Sequence, residues 1–315
     1  MDYTGVSMPE LPDILLYIHA LRPRIVGHQV RAVRLATPFL LRSIDPPLSS
    51  IEGRTIRDLH RLGKRIVFEA DDELFLVFHL MIAGRFRWKR YDTGCATARK
   101  HTRCRVRGTL IQLDFEHGSL ILTEAGSKRQ ASLHVVQGRD ALAQHNPGGL
   151  EVLEADLPTF AETLLRDNHT LKRALTDPHL FSGIGNAYSD EILHAARLSP
   201  FKQTATLTDE EVRRVYEATQ RTLVHWTERL RRETGEEFPE KVTAFREGMA
   251  VHGRYGQPCP VCGSPVQRIV YAANEANYCA TCQTGGRLLA DRSLSRLLRE
   301  DWPRTLDELE RMRNR

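Results

Sequence analysis

Residues 257–283 read Gln257-Pro-Cys259-Pro-Val-Cys262-Gly-Ser-Pro-Val-Gln-Arg-Ile-Val-Tyr-Ala-Ala-Asn274-Glu-Ala-Asn-Tyr-Cys279-Ala-Thr-Cys282-Gln283, two Cys-x2-Cys pairs separated by sixteen residues. Each pair puts two thiolates on one tight turn. Two such turns complete a tetrahedral shell of four sulfurs, which suits zinc. A closed shell has no open position for water, so the spacing predicts one structural Zn2+ held by Cys259, Cys262, Cys279 and Cys282. A segment of about 40 residues buries little apolar surface, so metal binding supplies much of its folding energy. Cys95 and Cys104 read as plain thiols.

Upstream of the finger the pattern is helical from about Asp156. Thr208 and Glu211 form a capping-box signature. Val212, Val215, Tyr216, Thr219, Leu223, Trp226 and Leu230 keep helical spacing, predicting a core-packed helix from Thr208 to about Arg232. Phe181-Ser-Gly183-Ile184-Gly185-Asn186-Ala-Tyr188-Ser-Asp190-Glu191 lies between two helical stretches. Its paired glycines permit a tight turn, and the helix opening near Asn186 offers backbone N–H groups to a phosphate. Taken alone, the same pattern suits an ordinary helical hairpin. His145-Asn-Pro-Gly-Gly149 reads as the linker to the N-terminal half.

That half is β-rich. Arg65–Ala70 and Leu74–Trp88 are apolar, partly alternating runs around an Asp71-Asp72 turn, and Thr109–Phe115 and Ser119–Thr123 flank the hairpin signal Glu116-His117-Gly118. Short strands with tight turns predict a sandwich or barrel. One helix precedes them, with Pro9 at its first position and Ile14, Ile18 and Leu21 on one face.

The 315 residues suffice for two domains, and a composition of 27% charged and 41% hydrophobic residues is that of a globular protein. No apolar run approaches the roughly 20 residues of a membrane span, and Met1–Asp13 lacks a secretory layout, so a reducing cytoplasm is the expected setting. Six cysteines there suggest metal ligation rather than disulfides. The net charge of +5 is mild, yet Arg85–Arg107 holds nine Lys/Arg against Asp92 alone. Such a strip permits a nucleic-acid partner and equally suits a solvated face.

Three separated segments resemble one family, the formamidopyrimidine-DNA glycosylase / endonuclease VIII family. Met8-Pro-Glu-Leu-Pro-Asp13 is similar to its N-terminal signature. Leu171-Lys172 through Pro200 is similar to its helix–two-turn–helix element, and His252-Gly-Arg254 through Gln283 to its zinc finger. Their order and spacing also match, so the resemblance covers Met8 to Gln283. It implies an α+β fold: an N-terminal β-sandwich with an N-terminal helix (8–145), a helix–two-turn–helix domain (150–245), a C-terminal zinc-finger β-hairpin (250–284), and an extension of unassigned role (285–315).

The resemblance further implies a base-excision DNA glycosylase with AP lyase activity. It would act on damaged, oxidised bases, as a monomer in a bacterial-type, nucleoid-associated setting, with DNA bent in the cleft between the halves. The nucleophile would be the secondary amine of Pro9, exposed by removal of Met8. An α-amine with a pKa near 8 is about one-tenth neutral at pH 7, against roughly one lysine in two thousand. Glu10 would be the catalytic acid and Lys64 the strand lysine on the phosphate beside the lesion. Lys172, Asn186, Asn274 and Arg254 would contact DNA, and Met81 or Ile82 would wedge into the base stack. Without the resemblance, Glu10 reads as a first-turn helix glutamate, and Lys64 and Lys172 as surface charges.

The chain departs from the family pattern in several places. Seven residues precede Met8; while they stay attached, the Pro9 nitrogen is a tertiary amide whose lone pair is delocalised. Translation from Met8 is the expectation. A non-catalytic binder of damaged or branched DNA with a blocked Pro9 is the alternative, and a zinc-ribbon RNA-binding protein a weaker one. Asn274 stands where the family's finger carries an arginine. The loop after Thr123 reads Glu-Ala-Gly-Ser-Lys-Arg-Gln in place of Asp-Pro-Arg-Arg-Phe-Gly, and Thr234–Ala250 is short for a lesion-capping loop. This is the pattern of a divergent branch.

Overall fold

Tight turns and alternating apolar residues set the first half of the chain, and a computed structural model describes residues 8–91, 106–125, 129–240, 242–243, 246–271, 274–290 and 303–313. By its contacts the chain divides into two units, Met1–Pro147 with Trp226–Ala244, and Gly148–His225 with Phe245–Arg315.

In the first unit α1 (Leu11–Ile25) precedes β1 (Ala32–Leu35), β2 (Ile56–Leu62), β3 (Arg65–Ala70), β4 (Leu74–His79), β5 (Gly84–Arg90), β6 (Thr109–Asp114), β7 (Gly118–Glu124) and β8 (Ser132–Gln137), with a short α2 (Arg139–Ala143) after them. The strands form two antiparallel sheets, ordered β1-β6-β7-β5 and β2-β3-β4-β8. Phe68 of β3, Phe78 of β4 and Phe86 of β5 stand 4.9 to 6.1 Å apart by ring centroid, and Tyr17 of α1 meets Phe86 edge-on at 5.6 Å. β3 and β4 belong to one sheet and β5 to the other, so these rings are the seam of the sandwich. Each buried ring contributes about 1.5–3 kcal/mol of transfer free energy.

Two sequence expectations change here, and three strands are new. Pro9 is not the first helical residue: Glu10 is the N-cap of α1, and the proline inside the first turn is Pro12. The run Leu74–Trp88 is not one strand. It breaks at 80–83, and its halves, β4 and β5, enter different sheets. The break is backbone-driven: Gly84 N–H donates to Leu80 O at 2.9 Å, and a Cβ on Gly84 would stand 2.3 Å from that same oxygen. Lastly, β1, β2 and β8 carry no clean alternation in sequence. β1 is half-exposed along its length, and a bulge between Ile56 and Asp58 breaks the period of β2.

The second unit is helical up to the finger: α3 (Leu157–Leu165), α4 (Leu171–Thr176), α5 (Asn186–Ala195) and α6 (Asp209–Thr234), whose last turns are grouped with the first unit. The expected capping box of α6 is formed, with Thr208 N–H on Glu211 Oε2 at 3.0 Å and Glu211 N–H on Thr208 Oγ1 at 3.3 Å. The finger is the hairpin β9 (Gln267–Tyr271) and β10 (Asn274–Tyr278) followed by α7 (Ala280–Thr284). In the extension, α8 (Leu306–Arg313) sets Leu306 and Leu309 against a cluster of Ile269, Tyr278, Ala280 and Leu288. No helix among the described residues is long and apolar enough to cross a membrane.

Because Gly84 admits no Cβ, Gly84→Ala should force open the 80–83 turn and destabilise the first unit by about 1–3 kcal/mol. Its urea midpoint should fall while the zinc content stays at the wild-type value.

Candidate functional site

The backbone enters α1 in extended geometry, with Glu10 at φ −110°, ψ −174°. Glu10 is only 1% exposed and Asp13 fully buried; the Glu10 N–H donates to Asp13 Oδ2 at 2.9 Å. Pro9 is buried beside it and lies outside the helix. Lys64 approaches from the two-residue turn between β2 and β3, where Gly63 takes φ +61° at the first central position. Lys64 is half-buried. Desolvation lowers its ammonium below the ordinary lysine value, while the Glu10 carboxylate pulls it up. Thus Pro9 adjoins Glu10 at the start of α1, whose N-terminal dipole favours a carboxylate, and Lys64 lies within electrostatic reach of Glu10. A buried carboxylate and a partly desolvated ammonium next to one chain position are equipped to exchange protons there.

Met81 lies on the 80–83 turn with φ +52°, a conformation that costs a non-glycine residue about 1–3 kcal/mol. Met81 is half-buried and its neighbour Ile82 is 43% exposed, so the turn presents an apolar tip.

In the second unit Gly183, at φ +83°, makes the turn and Gly185 caps α5, which begins at Asn186 as its sequence predicts. The Asn186 side chain is half-buried and makes no hydrogen bond among the described residues. Lys172 departs from expectation. It is 2% exposed, and its three N–H donors are directed at Asn186 O (3.0 Å), Ser189 Oγ (3.2 Å) and Asp190 Oδ1. An ammonium so saturated has nothing left for a phosphate, so Lys172 is a buried brace for the start of α5.

Sequence reasoning assigned no role to Asp190 and Glu191. Their only signal is an acidic pair in a helix otherwise carrying Tyr188, Ile192 and Leu193. Asp190 also takes His252 Nδ1 at 2.9 Å and Asn277 Nδ2 at 3.2 Å. Burial alone would raise the Asp190 pKa, but the Lys172 charge and the His252 hydrogen bond outweigh it and hold it low. Glu191 accepts the backbone N–H groups of Ala250 (2.7 Å), Val251 (2.9 Å) and His252 (2.9 Å); burial dominates and pushes its pKa up. One turn on, His194 Nε2 lies 3.3 Å from Cys259 Sγ, placed to donate to a thiolate.

A zinc ion bound by four thiolates at about 2.3 Å needs sulfur–sulfur edges of about 3.8 Å. Cys259 and Cys282 are 3.9 Å apart, Cys262 and Cys279 3.3 Å, and all four sulfurs lie within 4.8 Å of one another. The donor set fits, and these four residues hold one structural zinc. Arg254 braces the entry to the finger: its guanidinium donates to Met249 O (2.9 Å), Pro258 O (3.1 Å) and Gln257 Oε1 (3.1 Å). Asn274 opens β10, paired with Tyr271. Of the basic strip, residues 92–105, with Cys95 and Cys104, lie outside the described residues, as do 126–128 of the loop after Thr123.

Three family models match in order: the formamidopyrimidine-DNA glycosylase N-terminal domain over residues 8–123, the formamidopyrimidine-DNA glycosylase H2TH domain over 149–233, and the zinc finger found in FPG and IleRS over 256–285. A formamidopyrimidine-DNA glycosylase of Thermus thermophilus is 32% identical over 287 residues, 89% of this chain and 100% of that protein. A formamidopyrimidine-DNA glycosylase-like protein of Mycobacterium tuberculosis is 40% identical over 151 residues, 48% of this chain and 94% of its own length. The crystal structure of the Thermus thermophilus MutM (Fpg) protein superimposes with a TM-score of 0.70 at 31% identity, covering 87% of this chain and 98% of that one. Lactococcus lactis Fpg, solved in complex with abasic-site DNA, shares the fold with a TM-score of 0.74 at 23% identity, covering 87% and 99%.

Lys172→Met leaves Asp190 buried without its main counter-charge and should cost the second unit about 3–5 kcal/mol, read as a lowered urea midpoint. Asp190, held low, contributes stability that is full at neutral pH and lost as pH falls through its lowered pKa, so the wild-type loss on acidification should shrink in Asp190→Asn. Purified protein should carry one zinc per chain by metal analysis, and Cys279→Ser should release it.

Proposed function

The chain belongs to the formamidopyrimidine-DNA glycosylase family, and from that premise we propose that Pro9, Glu10 and Lys64 carry the chemistry of a base-excision DNA glycosylase and AP lyase. The observation that supports this most is the buried Glu10 at the start of α1, with Pro9 on one side and Lys64 within electrostatic reach on the other. With Pro9 as first residue, its secondary amine attacks C1′ of the damaged nucleotide. The C1′–N bond to the base breaks, and the departing base takes up a proton. Glu10 protonates the sugar ring oxygen, the ring opens, and C1′ becomes an iminium on the Pro9 nitrogen. That cation acidifies the C2′ hydrogen; its loss expels the 3′ phosphate and cleaves the strand, and water then releases the enzyme. Lys64 holds the phosphate beside the lesion.

The remaining residues grip and deform DNA. Asn186, with its unengaged amide at the head of α5, takes a backbone phosphate. Met81 and Ile82 form the tip that fills the stack vacated by the flipped base. Asn274 occupies the hairpin position of a family arginine and gives a weaker clamp. Arg254 acts on DNA chiefly by shaping the finger. The working parts are 8–145 for chemistry, 150–245 and 250–284 for DNA, and 285–315 as packing on the finger. DNA as substrate places the enzyme at the nucleoid in a bacterial cytoplasm.

Protein whose first residue is Pro9 should form a covalent adduct with abasic-site DNA in the presence of borohydride, because only an amine gives an iminium that borohydride reduces. Protein retaining Met1–Met8 should give little. Pro9→Gly should trap more weakly, and Glu10→Gln should slow base release by about 10²–10⁴-fold with smaller effect on binding. Equal trapping with an extension shown intact by mass would remove Pro9 from the role. If both forms bind lesion DNA and neither traps, the chain is a binder only.

A further inference from the structure

The outer face of the β2-β3-β4-β8 sheet is divided. At one end Val67, Phe75, Val77 and Val136 pack together under Ala141 and Leu142 of α2. At the other end the residues turn basic. Arg65 stands directly across from His79 in the β3–β4 ladder, and His134 of β8 is one step along from His79, opposite Val77. The imidazoles of His134 and His145 lie 4.6 Å apart by centroid, and Arg65 Nη1 donates to His145 O at 3.1 Å. Arg42 joins from the edge, its backbone N–H on Leu133 O at 2.8 Å and its side chain exposed. Lys64 adjoins Arg65 in the chain.

Arg42, Arg65, His134 and His145 make no ion pair with a carboxylate among the described residues. Elsewhere on the same unit exposed arginines do: Arg139 with Glu69 and Glu73, Arg57 with Asp71, Arg22 with Asp58. On this face Glu69 is taken by Arg139 and flanked by His60, while Glu10 acts on Lys64. Burial, then His145, Arg65 and Arg42, lowers the His134 pKa; burial and Arg65 lower that of His145. Burial, then Arg65, Lys64 and His134, brings His79 to about 4. Basic groups crowded without acids resist protonation unless an anion sits among them.

We propose that Arg42, Arg65, His134 and His145 form a second phosphate site, distinct from that of Lys64, which takes the DNA backbone on nucleotides flanking the lesion. A polyanion fits better than one small anion, because the basic groups are spread across one end of the sheet, from β3 to β8, rather than folded around a point. Binding there protonates histidines that are neutral in the free protein, so affinity rises as pH falls. The inference rests on the DNA-glycosylase reading above.

The test uses protein beginning at Pro9 and a duplex carrying an abasic-site analogue, with binding followed by fluorescence anisotropy across salt and between pH 7.5 and 6. Wild-type affinity should rise several-fold on acidification. Its slope against log salt should exceed that of His134→Ala/His145→Ala by about one for each phosphate the variant no longer neutralises. The pH dependence should flatten in the double variant. Arg42→Glu, an exposed change that leaves the strand ladder intact, should likewise weaken binding and reduce the slope. Borohydride trapping of wild type is run alongside. If wild type traps and binds but both variants keep its salt slope and pH profile, the second site is overturned and the enzyme reading stands. If wild type neither binds nor traps, the enzyme reading fails and the site falls with it.

Discussion

An unpaired carboxylate buried in a protein costs several kcal/mol, and α5 buries two in succession, Asp190 and Glu191. Much of the second unit is arranged to satisfy them. Lys172 of α4, His252 and Asn277 of the finger converge on Asp190, while three successive backbone amides, 250–252, close on Glu191. Those amides fix the chain just as it enters the zinc shell, and His194 reaches Cys259 from the same helix. The Gly183–Asn186 turn and the finger are therefore locked by short, directional polar bonds as well as by apolar contact. Such bonds fix geometry more tightly than area burial does.

The first unit meets a different demand with different means. Its two sheets are held by an aromatic seam, and the chain passes between them at 80–83 through a turn that only glycine at 84 permits. Met81, held at positive φ, and exposed Ile82 sit on that turn, so one backbone constraint both closes the sandwich and displays an apolar tip. At the start of α1 the geometry is equally economical. Because Glu10 is the N-cap, Pro9 lies outside the helix and its nitrogen is not committed to the helical ladder.

The zinc shell, the α6 helix with its capping box, the Gly183 turn and strands β3, β6 and β7 were legible because each is written in spacing over a few residues. The family signature at Met8–Asp13 was legible for the same reason. Less legible were strands whose alternation is broken, such as β2 with its bulge and β1 with no buried face.

Sequence by itself determined the family and the metal, since these follow from local motif and spacing. Tertiary structure alone decided that Lys172 is a brace rather than a phosphate contact, that Asp190 and Glu191 matter, and that Leu74–Trp88 divides between two sheets. It alone gathered Arg42, Arg65, His134 and His145 onto one face. The break in Leu74–Trp88 turns on a backbone contact that residue pattern does not reveal, and the others depend on which charges and carbonyls meet between separate elements of the chain; a side chain's burial and partners are properties of that packing, on which local pattern is silent.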